Sequence, residues 1–428
     1  MTGAIITLVV VLLLLLASST PIAVALGLTS FLYFFYFTTI PLTQVPERLF
    51  NSLNSFPLMA IPFFVLAAGI MSRGGISRRL IAAGNAIVGE VRGGLAATAV
   101  LACMFFAAIS GSSPATVVAV GTLIIPAMVN SGYGKKFSTG LVATSGSLGI
   151  LIPPSIPLIV YGIATEESIG DLFIAGIVPG IMAGLMLLVL VFVISRRRNL
   201  GLVDESQRMT RSDKLRALGD AVLSLALPGI VLGGIYGGVF TPTEAAAVAV
   251  AYALILAAGV YRELSIKDLG EVLLRSTRTS AMIMFIIANG ILFSFVLTSE
   301  RIPGQITELF LDANLNTFTF LLLVNILLLM AGAFMETSSA ILIIAPILLP
   351  IALTLGVDPI HLGVIMVMNL EIGMVTPPLG LNLFVASGIS KMSVLQVARA
   401  ALPSSLVLLV ALALVTYLPF ISLALLGR

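Results

Sequence analysis

The stretch Gly373-Met374-Val375-Thr376-Pro377-Pro378 decides the fold, because it sets two adjacent prolines inside apolar sequence and Gly149-Ile150-Leu151-Ile152-Pro153-Pro154 answers it earlier in the chain. Adjacent prolines remove two backbone donors and clash with the preceding turn, so each pair unwinds the helix that carries it. A second pair of motifs lies upstream, where Gly111-Ser112-Ser113-Pro114-Ala115 answers Glu336-Thr337-Ser338-Ser339-Ala340. Ser113 to Pro153 is 40 residues and Ser339 to Pro377 is 38, while Pro153 to Pro179 and Pro377 to Pro403 are both 26. The chain therefore reads as an internal repeat. Thr20-Pro21 and Thr241-Pro242 lie at a similar offset but are too short to add weight.

The sequence around these motifs is that of a membrane protein. Of 428 residues, 59% are apolar and 10% charged, against roughly 45–50% and 25% in soluble domains. Charge-free runs occupy 1–46, 49–72, 93–134, 137–165, 172–195, 221–243, 279–299, 313–335 and 400–427, each at least 21 residues long, and about 20 apolar residues span a bilayer as a helix. Continuous apolar runs exclude an outer-membrane barrel, which needs short alternating segments. Met1 to Ala17 carries no charge and leads directly into more apolar sequence, so it reads as a retained helix rather than a cleaved signal. Cys103 is the only cysteine and His361 the only histidine, which excludes an intrachain disulfide and a Cys/His zinc cluster. The net charge of +3 does not point to nucleic acid, because the basic residues fall in short loops between spans.

With the N-terminus outside, the chain traces as spans near 3–19, 21–39 and 56–72, a re-entrant hairpin over 93–131, and spans near 138–165 and 172–194. The second half repeats this with spans near 221–239, 242–260 and 279–298, a hairpin over 316–352, and spans near 361–389 and 402–425. This trace puts 19 of the 22 Lys and Arg residues on inner loops, leaving only Arg48, Arg301 and Arg428 outside. The hairpin is needed because an ordinary crossing would put Arg92 and Lys135 on opposite sides. Each half then has five spans and an odd number of crossings, so the halves are inverted. The fold expected is an all-α polytopic membrane protein: a first repeat over 1–195, a cytoplasmic linker over 196–220 that includes Arg208 and is partly a surface helix, and a second repeat over 221–428. Secondary transporters commonly place substrate and ion sites near the midplane, where the helices of such repeats are broken in corresponding places.

Unpaired backbone within a bilayer must be buried in protein or line a cavity, and freed carbonyls beside hydroxyls suit a dehydrated Na⁺. Converging half-helix N-termini favour a carboxylate. Each half thus offers one cation site, with an anion site between them. Proline kinks and small hydroxyl residues also serve mere packing, but packing gives no reason for two motifs to recur in both halves. Asn382, one turn beyond Pro378, either hydrogen-bonds substrate or holds neighbouring helices together. Glu371, and with it Glu336, are acids in apolar sequence; Glu371 neutralises a cation, carries a proton, or pairs with a basic residue or Asn369. Glu244 reads as a helix cap, His361 as a surface residue at a helix start, and the Phe31 to Phe37 cluster as a lipid-facing surface or a docking face.

At these residues the chain resembles, along essentially its whole length, the large membrane subunit of tripartite ATP-independent periplasmic (TRAP) transporters. The resemblance is carried by Asn369-Leu370-Glu371-Ile372-Gly373-Met374-Val375-Thr376-Pro377-Pro378-Leu379-Gly380-Leu381-Asn382, by Ser110-Gly111-Ser112-Ser113-Pro114-Ala115-Thr116, and by Ile61-Pro62-Phe63-Phe64 with Gly69. It implies an elevator-type transporter with scaffold and transport domains, working with a small four-helix membrane subunit and a periplasmic substrate-binding protein in a bacterial inner membrane. It also implies import driven by Na⁺, of carboxylates such as C4-dicarboxylates or sialic acids, with no other cofactor. Ion binding would fall on Ser110, Gly111, Ser112, Ser113, Gly149 and Pro153 in one half, and on Thr337, Ser338, Ser339, Gly373, Thr376 and Pro377 in the other. Substrate would meet Ser113, Pro154, Thr376, Pro378 and Asn382. No four-helix segment precedes Met1, so a separate small subunit is expected, and Ala340 stands where the first tip has Pro114.

Three other readings compete. A stand-alone carrier or exporter on similar inverted repeats would differ in lacking the small partner. An intramembrane protease using Ser112 or Ser113 would need a general base in reach, and the sequence offers only His361 and inner-loop lysines. A structural scaffold would not repeat two polar breaks.

Overall fold

In a computed structural model, residues 3–18, 20–38, 40–201, 209–312 and 316–428 are described. Every regular element among them is helical, and nine of the helices are long and apolar enough to cross a bilayer. The longest, Ile266–Ser299 and Ile169–Arg197, have 34 and 29 residues. On Ile169–Arg197, Ile181, Leu185, Val189 and Val193 are exposed at four-residue spacing, the stripe of a helix that faces lipid.

Helix ends follow local chemistry. Thr241 with Glu244, Ser265 with Asp268, and Ser393 with Gln396 form capping boxes that start Pro242–Leu254, Ile266–Ser299 and Val394–Tyr417; each such cap is worth about 1 kcal/mol. Glu244 is thus the cap that the sequence suggested. Thr210 caps Arg211–Tyr236, so the region between the halves is helical from 211 onward and up to Arg197 on the other side. Arg208 and the rest of 202–208 lie outside the described residues.

Single prolines at 126, 179, 228, 346, 350 and 403 sit inside continuous helices. The double prolines do not: Lys135–Ser145 passes through a 3-10 turn, Gly146–Ile150, and helix resumes only at Ile156–Thr165. Pro359–Gly373 likewise ends before the second pair, and helix resumes at Leu381–Ser390. Both Pro-Pro peptide bonds are cis. The paired helices Gly94–Ser110 and Ser113–Asn130 meet at a tip around Gly111, and Thr317–Phe334 and Thr337–Thr354 meet around Met335 and Glu336.

The packing is reciprocal. Ser113–Asn130 lies on Leu381–Ser390, the helix after the second break, while Thr337–Thr354 lies on Ile156–Thr165, the helix after the first. One large core of buried apolar residues runs through both halves, and a smaller one, around Leu26, Phe34, Phe293 and Val296, seats the N-terminal helices on Ile266–Ser299. His361 departs from its surface assignment. It is 2% exposed, because the segment after Tyr417 folds over it and brings Ser422 Oγ to 2.7 Å from Nδ1.

Candidate functional site

The first tip and the first break are packed into one another. Helix Gly94–Ser110 ends at Gly111, whose φ of +57° is left-handed and suits glycine. A Cβ there would lie 2.7 Å from Pro154 O. Ile156 N donates to Gly111 O at 3.3 Å, joining tip to break through the main chain. Gly149 is equally confined, since a Cβ on it would meet Thr116 Oγ1 at 2.6 Å and Ser112 O at 2.8 Å. Ser110 Oγ lies 2.9 Å from Thr116 Oγ1, and Thr116 Oγ1 donates to Ser112 O at 2.9 Å. Ser110, Gly111, Ser112, Gly149 and Pro154 are therefore one cluster, and Pro153 beside it is buried against Gly176. Thr116 belongs to this cluster as one of the tip hydroxyls, although it was not among the ion-binding residues that the resemblance implied. Its signal was its place at the end of the Ser110-to-Thr116 motif.

The second tip is built differently. Glu336 caps helix Thr337–Thr354: its carboxylate accepts from Ser339 N at 3.1 Å, from Ser339 Oγ at 3.3 Å and from Ser338 Oγ at 3.0 Å. Ser338 and Ser339 thus face their own cap. Thr337 Oγ1 reaches Met374 Sδ at 3.3 Å, and Leu379 N donates to Ala333 O at 3.0 Å, so these two bonds join the second tip to the second break. Gly373 and Gly332 touch backbone to backbone, and a Cβ on Gly373 would fall 2.5 Å from Gly332 C. Thr376 Oγ1 donates back to Ile372 O at 2.9 Å. Pro377 and Pro378 are exposed whereas Pro153 and Pro154 are buried, so the second break opens on the surface of the chain and the first does not.

Asn382 joins the halves. It is 0% exposed, its Nδ2 donates to Ser113 Oγ at 2.5 Å and to Ala143 O at 3.3 Å, and its Oδ1 has no partner among the described residues. Of the four helices that start at tips or breaks, Ile156–Thr165 is capped by Ser155 and Thr337–Thr354 by Glu336, whereas Ser113–Asn130 and Leu381–Ser390 have no side-chain cap. The two uncapped starts are the two that Asn382 and Ser113 bridge. At Leu381–Ser390 the N–H groups of Asn382 and Leu383 are taken by Met374 O at 3.1 Å and Gly380 O at 2.9 Å, so what both uncapped starts offer an anion is the partial positive charge of a helix N-terminus. The preceding helices, Gly94–Ser110 and Pro359–Gly373, bring their negative C-terminal ends to the same region, which suits a cation.

A model of the DctM component of tripartite ATP-independent periplasmic transporters matches residues 9–421. The chain belongs to the DctM family. It is 51% identical over 401 residues to the C4-dicarboxylate TRAP transporter large permease DctM of Pseudomonas aeruginosa, covering 94% of this chain and 93% of that one. It is 45% identical to the isethionate TRAP transporter permease DctMQ of Oleidesulfovibrio alaskensis, covering 94% of this chain and 63% of that one. Among solved structures, MtrF of Neisseria gonorrhoeae, described as illuminating a class of antimetabolite efflux pumps, superposes with a TM-score of 0.62 at 14% identity over 98% of this chain and 95% of that one, a likeness of fold alone. As a DctM large permease the chain is a multi-pass protein of a bacterial inner membrane and a transport subunit rather than an enzyme.

Proposed function

We propose that this large permease imports a C4-dicarboxylate, fed by a periplasmic binding protein, together with a small membrane subunit and driven by Na⁺. The observation that carries the reading is the pair of uncapped helix starts at Ser113 and Leu381, bridged by Asn382 and drawn from opposite halves. The anion sits there, met by Ser113 and Asn382, with Pro154, Thr376 and Pro378 at its margins. One Na⁺ sits among Ser110, Gly111, Ser112, Ser113, Gly149 and Pro153, and another among Thr337, Ser338, Ser339, Gly373, Thr376 and Pro377. The dicarboxylate is favoured by the 51% identity to a permease named for that substrate, and the small partner by the fused DctMQ relative, which this chain spans only in part.

The two halves act as inverted repeats, with a transport body that carries both tips and both breaks across the membrane in an elevator motion. The reciprocal packing of each half's post-break helix on the other half's tip helix supports a single moving body. Reconstitution in proteoliposomes tests the whole reading. Concentrative uptake of a labelled C4-dicarboxylate is expected only with both partners present and an inward Na⁺ gradient. Uptake by the permease alone overturns the tripartite assignment, and uptake indifferent to Na⁺ overturns the coupling.

A further inference from the structure

We infer that Glu371 is a positioning residue that ties the two helix breaks together through Ser147, so that occupation of one cation site sets the geometry of the other. The inference rests on reading the breaks as Na⁺ sites. Glu371 is 1% exposed and Ser147 0%, and Glu371 Oε1 lies 2.9 Å from Ser147 Oγ. Glu371 Oε2 has no partner among the described residues. Acids at such depth are expensive and mark function by default.

The reach of the pair comes from where its partners stand. Ser147 lies in the 3-10 turn Gly146–Ile150, two residues before Gly149, which is pressed on Ser112 O and Thr116 Oγ1 of the first tip. Glu371 lies in the last turn of Pro359–Gly373, two residues before Gly373, which is pressed on Gly332 of the helix leading to the second tip. Neither glycine has space in which a shift could be absorbed. A displacement at either break therefore moves one end of a buried hydrogen bond whose other end belongs to the opposite half.

The hydroxyl of Ser147 is shared. Ser147 carries one hydroxyl hydrogen and faces two acceptors, Thr144 O at 2.7 Å and Glu371 Oε1 at 2.9 Å. The tie needs at position 371 an oxygen that accepts from Ser147 Oγ. Glutamine keeps such an oxygen in the same shape, and leucine provides none.

The test is a double-mutant cycle in the complex reconstituted with its small subunit and binding protein, reading the Na⁺ concentration for half-maximal uptake and the maximal rate. Glu371→Leu and Ser147→Ala are each expected to raise the Na⁺ requirement about tenfold, as loss of one buried hydrogen bond allows, with the maximal rate held within about twofold. Glu371→Gln is expected to stay near wild type, and the double variant Glu371→Leu/Ser147→Ala to be no worse than either single one. Glu371→Gln as impaired as Glu371→Leu, or additive losses in the double variant, overturns the inference. The same cycle is read by thermal unfolding in detergent without Na⁺. If wild-type uptake ignores Na⁺, the functional reading falls, and the melting cycle then decides the strut alone: non-additive losses retain it and additive losses remove it.

Discussion

At the scale of single residues, Ser113 stands at the meeting of the two proposed ligands. Its hydroxyl accepts from Asn382 Nδ2, and it begins an uncapped helix. Ser113→Ala leaves a buried amide donor short of a partner, a loss of about 1 kcal/mol, and is expected to raise the Na⁺ requirement for uptake several-fold while membrane yield falls little. Thr376→Val should act in the same direction, because its hydroxyl stands beside the second break. Loss of yield with unchanged Na⁺ dependence in both variants would mark these hydroxyls as structural. Ser110 and Ser112 drew attention because polar residues within apolar runs are few and the tip motif recurs by half, and Asn382 because it stands one turn beyond Pro378. Ser147 did not, since a lone serine two residues before a glycine looks like packing until Glu371 is found opposite it. His361 was misplaced for a related reason: the start of Pro359–Gly373 looks terminal in sequence, yet Pro419 to Leu423 returns over it, and His361 Nε2 comes to 3.4 Å from Thr416 O. It is held there beside a buried chain in which Asn369 donates to Asn325 Oδ1 at 2.8 Å and Asn325 to Thr416 Oγ1 at 3.1 Å.

At the scale of elements, uninterrupted apolar sequence forecast helix, and the double prolines forecast where helix stops. The helices that escaped notice are those whose sequence carries charges: Gln44–Leu53, Ile76–Val88 and Ile302–Asp312. Dividing the chain at charged residues discards such segments, and for the same reason the span expected from 279 begins at Ile266, since Lys267, Asp268, Glu271, Arg275 and Arg278 occupy its first turns. What no apolar pattern conveys is how closely elements approach. Gly373 on Gly332 is the tightest approach at the second break, and Gly373→Ala sets a methyl group 2.5 Å from backbone that has nowhere to go. Overpacking of this kind costs about 1–3 kcal/mol, so a clear drop in melting temperature is expected, together with lost uptake. Gly388→Ala is the matched control: it is helical, nothing lies within 4 Å of its Cβ position, and alanine there should be neutral or stabilising by up to about 1 kcal/mol. Equal melting temperatures for the two variants would show that the second break yields freely.

At the scale of the whole molecule, charged residues that the sequence trace assigns to one side of the membrane pair with one another. Lys214 meets Glu90 at 2.5 Å, Arg73 meets Asp268, and Arg78 and Arg79 meet Glu263 at 2.5 and 2.8 Å, all on the side read as cytoplasmic. Arg428 meets Asp171 and Asp358 on the other. The first set anchors helix Ile76–Val88, whose Arg79 also stacks its guanidinium 3.6 Å above the Tyr261 ring. Glu263 is the hub of this set. Partial burial pushes its carboxyl up, but the hydrogen bonds from Arg79 and Arg78 outweigh burial and hold it below the usual glutamate range. A carboxylate lowered on folding adds stability that is complete above its unfolded value and is lost as pH falls through its folded value. The unfolded value is about 4.3, so the contribution is intact at neutral pH and disappears in the acid range below it. Glu263→Gln should therefore lower the melting temperature at pH 7, by the equivalent of no more than about 1 kcal/mol for a part-exposed pair, and the gap from wild type should close as the pH is taken towards 3. A gap that stays constant with pH would mean that Glu263 contributes by shape and packing beside Gly75, where a Cβ would strike its Oε2, and that the anchoring of Ile76–Val88 does not depend on charge.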